Sequence, residues 1–324
     1  MARLIADIGG TNARFALSAT GGGGLSELVL ERHLPVGAHA DLGAAARAYL
    51  AMHTDAPPVV DEAVIAVATP VDAEVIRFTN SPWTFTREGL AATLGIERLA
   101  VINDFAAQAG ALPYLGPDDR VAIGGGVPRQ GWPIVAIGPG TGLGAAGLVP
   151  AAEGPLVVAS EAGHVSFAPH DALEIEVLRL LQAQFGHVSN ERLLSGPGLV
   201  LLTQAMGVVS SRPFAGDTPE SVTAAAADGS SEVAIDALHV FSGIMGGAAG
   251  DLALSFCAKG GVFICGGLCG KLGAFFDHAR FRERFEAKGR LGAFLAEIPC
   301  WLVTNPRCGL IGAAAYRFPS PTTS

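Results

Sequence analysis

The stretch that most constrains the fold is the opening run Leu4-Ile5-Ala6-Asp7-Ile8-Gly9-Gly10-Thr11-Asn12-Ala13-Arg14-Phe15-Ala16-Leu17. Leu4 to Ile8 reads as a buried strand, Gly9-Gly10 permits positive φ and close backbone approach, and Phe15-Ala16-Leu17 resumes an extended apolar pattern. The order is therefore strand, turn, strand. A dinucleotide fingerprint opens a helix after its glycines, and a Walker loop carries Gly-Lys-Ser/Thr, so both are excluded. Asp7, at the end of the strand, can hold a hydrated Mg²⁺, while the Gly9 to Thr11 amides and the Thr11 hydroxyl can contact phosphate oxygens. The plain alternative is a β-hairpin with a Gly-Gly turn and no ligand.

The same device recurs about 130 residues later. Ile134-Val135-Ala136-Ile137 leads into Gly138-Pro139-Gly140-Thr141-Gly142-Leu143-Gly144, followed by a second apolar run through Leu148. A third apolar strand, Val262-Phe263-Ile264-Cys265, ends at Gly266-Gly267. A duplicated phosphate-clamping domain would leave this pattern, with three glycine-edged strand ends converging on one nucleotide. Chance repetition among 43 glycines is the competing explanation.

Composition narrows the classes. A chain of 324 residues has room for two ordinary domains. Half of it is hydrophobic, and Gln130 to Ala152 carries no charge, but Pro133, Pro139, Pro150 and five glycines between 138 and 147 forbid a spanning helix there. With a strand starting at Arg3 and no signal pattern, a cytoplasmic location without a membrane partner is expected. Five cysteines with no Cys-x-x-Cys pair indicate neither a disulfide framework nor a zinc knuckle, and are expected to be reduced and mostly buried. A net charge of −9 disfavours a nucleic-acid partner.

Between the glycine turns the chain alternates. Leu28-Val29-Leu30 predicts a third antiparallel strand after a loose Gly21–Gly24 loop, Asp41 caps a helix reaching His53, and Val64 to Ala68 is a buried strand. Phe78 to Trp83 reads as a polar loop. Thr86 caps the helix Arg87 to Leu94, and Leu99 to Ile102 is a strand ending at Asn103-Asp104, the end at which open α/β sheets bind ligands. Further on, Asp171 and Glu174 suggest a capping box before a helix ended by Gly186, Ser189 a second cap, and Gly196-Pro197-Gly198 another helix start. Residues 213 to 221 read as loop, and 233 to 256 as a helix packed closely through Gly243, Gly246, Gly247 and Gly250. Arg280 to Arg290 reads as charged and solvated, 308 to 316 as a final small-residue helix, and Phe318 to Ser324 as a frayed tail.

Taken together, Asp7 to Arg14, Ile102-Asn103-Asp104-Phe105, Gly140 to Gly144, Glu161-Ala162-Gly163-His164-Val165, Gly186-His187-Val188-Ser189-Asn190-Glu191-Arg192 and Leu194 to Gly198 make the chain resemble, nearly end to end, the bacterial ATP-dependent glucokinases of the sugar kinase, Hsp70 and actin superfamily. The resemblance implies an α/β, two-domain, actin-like ATPase (ribonuclease H-like) fold with duplicated βββαβαβα domains and an interdomain cleft. Residues 1–114, completed by a C-terminal helix at 306–318, would form the small domain and 115–305 the large one. It implies ATP and Mg²⁺ as cofactors, a homodimer, and phosphorylation of glucose at its 6-hydroxyl.

By position, the resemblance assigns nucleotide contacts to Ala6, Asp7, Ile8, Gly9, Gly10, Thr11, Gly140, Thr141, Gly142, Gly266 and Gly267, with Asp7 on the metal. Sugar contacts fall to Asn103, Asp104, Glu161, His164 and Glu191, and the general base to Asp104. These residue types suit a hexose, since carboxylates accept from hydroxyls while an amide or imidazole supplies donors, and a carboxylate left unpaired rejects a substrate lacking the hydroxyl. Read locally, Asp104 can instead cap the helix starting at Phe105, Glu161 and His164 can be half of a metal site, and Glu191 a solvated first-turn residue. His187 reads as a packing or turn residue. Ser160-Glu161-Ala162 replaces the more usual Gly-Glu-Gly, and Gly138-Pro139-Gly140 is a stiffer turn than Gly-Ala-Gly. Other functions remain to be weighed: a kinase for mannose, fructose or N-acetylglucosamine, a sugar-responsive repressor, for which no helix-turn-helix precedes the strand at residue 4, or an actin-like filament protein, which needs no sugar set.

Overall fold

The computed structural model describes residues 2–19, 27–52, 58–78 and 81–319. They divide into two compact units, Met1–Leu115 with Asn305–Ser324, and Gly116–Thr304. The Gly21–Gly24 loop, the helix end at His53, Thr79 and Asn80 of the polar loop, and the last five residues of the tail lie outside the described residues.

In the first unit the opening hairpin forms from β1 (Ala2–Ile8) and β2 (Asn12–Ala19), paired antiparallel with Asp7 opposite Arg14. β3 (Val29–Pro35) extends beyond the expected Leu28 to Leu30, because Leu34 is buried at its far end. Then follow α1 (Leu42–Ala51), β4 (Val60–Val67), the short hairpin β5 (Val75–Arg77) and β6 (Thr84–Thr86), α2 (Arg87–Leu94), β7 (Arg98–Asn103) and α3 (Asp104–Ala111). Asp41 and Thr86 cap α1 and α2 as expected, accepting from the Ala44 and Gly89 amides. The sheet order is β3-β2-β1-β4-β7, with β1, β4 and β7 parallel.

Both faces of this sheet are covered, which is why β1 reads as a continuous apolar run and not an alternating one. Leu4, Ala6 and Ile8 pack with Phe15 and Tyr49 on one face. Ile5 packs on the other with Leu310, Ala313 and Ala314 of the C-terminal helix, Cys308–Ala315. That helix is small-residue because it lies close to its neighbours: a Cβ at Gly312 would collide with the Ala107 carbonyl of α3. Phe318, expected to begin a frayed tail, is held under the guanidinium groups of Arg98 and Arg3, at 4.5 and 5.5 Å from its ring centre.

The second unit repeats the topology. Its strands are β8 (Arg120–Gly124), β9 (Ile134–Pro139), β10 (Leu143–Val149), β11 (Leu156–Ser160), β12 (Gly261–Ile264) and β13 (Cys300–Val303), in the order β11-β10-β9-β12-β13-β8. Apart from the added edge strand β8, this is the order of the first sheet. Its helices are α4 (Ala172–Phe185), α5 (Asn190–Leu193), α6 (Gly196–Val209), α7 (Pro219–Ala227), α8 (Glu232–Phe256), α9 (Gly267–Leu272), α10 (His278–Glu286) and α11 (Gly292–Ala296). The loop expected over 213 to 221 ends early, because Thr218 caps α7 and Pro219 is its first residue. α8 has the length and apolarity to cross a bilayer, yet 78% of its apolar window is buried within the protein, as suits a core helix.

Three of the four α8 glycines have a packing reason. A Cβ at Gly246 or Gly250 would meet the Phe281 or Phe285 carbonyl of α10, and one at Gly243 would press on Arg280 and Arg284. This contact overturns the solvated reading of Arg280 to Arg290: Phe281, Arg284 and Phe285 are buried against α8. Arg284 is tolerated there because Glu174, at the start of α4, pairs with both of its terminal nitrogens. Glu174 is not the expected capping-box partner of Asp171, since its side chain accepts from the His170 amide at 2.7 Å instead. Four of the five cysteines are buried and all are free. Burial pushes the Cys300 thiol up to about 12.

Glu174 and Arg284 are 1% and 4% exposed, so neither charge can be rehydrated if its partner is lost. Glu174→Ala should therefore cost about 3–5 kcal/mol in denaturant unfolding, while a Glu174→Leu/Arg284→Met pair should return to within about 1–2 kcal/mol of the parent. A Glu174→Ala cost below about 1 kcal/mol would contradict this account of the pair.

Candidate functional site

In the first unit the candidate residues sit at the carboxyl ends of β1 and β7. Alternation along β1 puts Asp7 on the same face as Ile5, toward the C-terminal helix. There Gly309 leaves room for it: a Cβ at 309 would lie 2.7 Å from a carboxylate oxygen. The Asp7 carboxyl is held above the usual aspartate range by burial, partly countered by Arg14 at 3.9 Å. Arg14 also donates to the Pro306 carbonyl, tying the hairpin to the approach of the C-terminal helix. The turn closes through Gly9 N–H to the Asn12 carbonyl at 3.0 Å, and Thr11 is exposed at its tip.

At the end of β7, the helix-cap reading of Asp104 is corrected. Asn103 is the N-cap of α3, its side-chain oxygen accepting from the Phe105 and Ala106 amides at 2.9 and 3.2 Å. Asp104 is the first helical residue, with one oxygen 2.9 Å from the Phe105 amide. The cap engages the Asn103 carbonyl and directs its NH₂ group away from the helix as a donor. Asp104 meanwhile lies on the helix N-terminus, where the macrodipole favours negative charge.

In the second unit three of the predicted residues meet. His164 lies between two carboxylates, with Nδ1 3.5 Å from Glu161 and Nε2 3.5 Å from Glu191. Glu161 and His164 are well exposed, at 69% and 62%, and so available to a ligand, whereas Glu191 is 33% exposed. Glu191 is partly screened because its other oxygen accepts from the Leu143 amide at 2.9 Å, at the start of β10. The solvated first-turn reading of Glu191 is thereby corrected. Gly142 leaves the space that this carboxylate occupies, and Gly163 packs against the Leu143 carbonyl with no room for a Cβ. Ser189 caps α5 and so sets the position of Glu191 in its first turn. Ser160 accepts from the Ala162 amide and closes the turn carrying Glu161.

Two glycine-edged strand ends adjoin in this unit. Gly138 packs on the Cys265 carbonyl, and Gly266, at φ +79, has the Pro139 carbonyl 2.7 Å from where a Cβ would stand. The Gly140-Thr141-Gly142 turn and the Gly266-Gly267 start of α9 are thus neighbours. The hairpin is further anchored by the Gly196 amide at the start of α6, which donates to the Gly140 carbonyl at 2.8 Å.

Some of these contacts lie beyond sequence reading. The Leu143 to Glu191 bond joins residues 48 apart and depends on a backbone amide that no residue type betrays. His187 does more than turn the chain, since its Nε2 lies 3.2 Å from the His164 carbonyl and braces the His164 loop. Gly309 and Gly312 are visible as small residues, but only the packed helix shows what each admits.

A family model described as Glucokinase matches residues 4–318. The chain is similar to the curated glucokinase of Paramagnetospirillum magneticum, at 43% identity over 314 residues and 96% of each chain. It is likewise similar to that of Chromobacterium violaceum, at 43% over 316 residues, 97% of this chain and 88% of the other. Among solved structures, a glucokinase from an Antarctic psychrotroph matches with a TM-score of 0.86 and 38% identity, over 97% of this chain and 98% of that one. A ROK family glucokinase from Streptomyces griseus, solved with glucose and AMPPNP, shares the fold at a TM-score of 0.65 and 19% identity, over 97% and 98% of the two chains. The fold is that of the actin-like sugar kinases. With a family match spanning nearly the whole chain and relatives above two-fifths identical throughout, the protein belongs to the glucokinase family.

Proposed function

We propose that this chain transfers the γ-phosphoryl group of ATP to the 6-hydroxyl of glucose, giving glucose 6-phosphate and ADP, in the cytoplasm and as a homodimer. The observation that carries the reading is the exposed His164 bracketed by Glu161 and Glu191, with Glu191 bonded to the amide of a glycine hairpin. One carboxylate is thereby shared between a hydroxyl-recognising set and a phosphate-holding turn. Asn103 donates its free NH₂ to a sugar hydroxyl, while Glu161 and Glu191 accept from others. Asp104 accepts the proton of the attacking 6-hydroxyl, the general-base role in phosphoryl transfer. The Gly10, Thr11, Thr141 and Gly142 amides, with those of Gly266 and Gly267, are offered to the phosphates, while the Gly9 and Gly140 amides close the two turns on the Asn12 and Gly142 carbonyls, and Ala6 and Ile8 fix the strand that carries the first of them.

Asp7 fits a hydrated Mg²⁺, because Mg²⁺ keeps most of its waters and needs one or two carboxylates beside the phosphates. A carboxyl whose burial disfavours its charge is relieved by a cation. When bound, Mg²⁺ supplies neutralisation of the phosphate charge. Among the described residues no group of three His, Cys, Asp or Glu side chains forms a metal cluster of its own.

A coupled assay over sugars and phosphoryl donors tests the reading: ATP turnover should require glucose, and equal or faster turnover with mannose, fructose or N-acetylglucosamine would replace it. Within that assay, Asp104→Asn should lower kcat by about 10²–10⁴ while leaving glucose affinity within a few-fold, because an amide oxygen still accepts a hydroxyl but cannot take its proton. A kcat reduced less than tenfold would remove Asp104 as the base.

For Asp7 the sign is worked from its raised folded-state value. In the protein without ligand the ionised carboxyl is disfavoured, so the fold loses stability at pH above the ordinary aspartate range and regains it as pH falls. Asp7→Asn should therefore raise the melting temperature of the unliganded protein at neutral pH, by an amount that shrinks on acidification, and weaken Mg²⁺-dependent ATP use. A lowered melting temperature together with unchanged Mg²⁺ dependence would contradict both parts.

A further inference from the structure

A cavity of about 200 Å³ opens within the second unit, between α8, α10 and the segments 167–170 and 190. By the volume of liquid water it has room for about six waters, close to the size of one sugar ring. Three observations distinguish it from a packing gap. Its floor is Gly247, the one α8 glycine that no neighbour requires: the nearest atom to a Cβ there is an Arg284 nitrogen at 3.8 Å, an ordinary contact. Its wall includes the Asn190 side chain, which is only 9% exposed and makes no hydrogen bond among the described residues, although its backbone is fully engaged. The amide nitrogen and oxygen are turned to the water-accessible cavity and not to a protein partner, which leaves both open to a ligand. Its rim is the Lys288 to Asp251 ion pair at 2.6 Å, and its back is Arg284, already satisfied by Glu174.

The charges therefore cancel in pairs, and no surplus cation is present to hold an anion. What remains unused is a carboxamide that both donates and accepts, the His170 imidazole, two further donors on Lys288 and the second oxygen of Asp251, over apolar surface from Ile244 and Phe167. Hydroxyl groups on a compact carbon frame match that set. We propose that this cavity is a second ligand site, separate from Glu161, His164 and Glu191, that takes a small neutral polyol of monosaccharide size, recognised by Asn190. Asn190 is the residue before Glu191, so an occupant contacts the segment that carries a proposed sugar acceptor.

The test uses myo-inositol, a cyclic polyol with no hydroxymethyl group to phosphorylate, followed by saturation-transfer NMR on the full-length protein. The parent should show transfer, and both Gly247→Leu, which fills the floor, and Asn190→Leu, which removes the amide at similar volume, should lose it. Glucose turnover in Gly247→Leu should stay within about twofold, so loss of the second site is read independently of the proposed reaction. Absence of transfer in the parent, or transfer that survives both substitutions, would reduce the cavity to a water-filled space and overturn the proposal. If turnover on glucose fails while transfer remains sensitive to Asn190, the proposed reaction is wrong and the second site stands.

Discussion

The Glu191 carboxylate is the contact on which the candidate chemistry of the second unit depends. One oxygen accepts from the Leu143 amide and the other lies 3.5 Å from His164. A carboxylate can do both because it has two equivalent acceptors and no donor, so neither contact dictates which oxygen serves which partner. The geometry follows from short-range rules. Ser189 caps α5 and fixes Glu191 in its first turn, Gly142 vacates the volume that the carboxylate fills, and Gly163 lets the Glu161 to His164 turn lie on the β10 backbone. Remove the bare backbone at 142 or 163 and the carboxylate has nowhere to sit.

Bare backbone recurs where candidate site segments lie against a neighbour. Gly138 and Gly266 let the ends of β9 and β12 touch, and Gly309 lets the C-terminal helix approach Asp7. Each is a place where one Cβ would displace a strand end by a large fraction of an ångström or more. Part of the glycine content is thus a set of specific approaches, while other glycines, among them Gly95 and Gly186, serve positive-φ positions with open space around them.

Local signals were legible in the sequence to a residue or two. The β1 to β2 hairpin, the Thr86 and Asp41 caps, the Gly186 stop and the start of α6 follow from turn and capping chemistry that operates within a few residues. What escaped was set by partners far along the chain. Arg284 reads as solvated because its partner Glu174 is 110 residues away, and a charged run contains nothing to announce one buried member. Asn103 and Asp104 are both good caps, and which one serves is decided by where β7 ends. The grouping of Glu161, His164 and Glu191 was available only through family resemblance, since sequence spacing alone does not close off a metal half-site or a solvated helix turn.

The central claim is that Glu191 belongs to the sugar and is held in place by the hairpin. Glu191→Gln tests it, because glutamine has the same shape but only one acceptor: its oxygen can keep the Leu143 amide while its NH₂ faces the sugar side. Calorimetric titration with glucose in the absence of nucleotide should show affinity weakened about tenfold or more, the scale of a hydrogen bond to a charged group, with the KM for ATP changed much less. An unchanged glucose affinity accompanied by a raised KM for ATP would assign Glu191 to the phosphate turn alone and contradict the account.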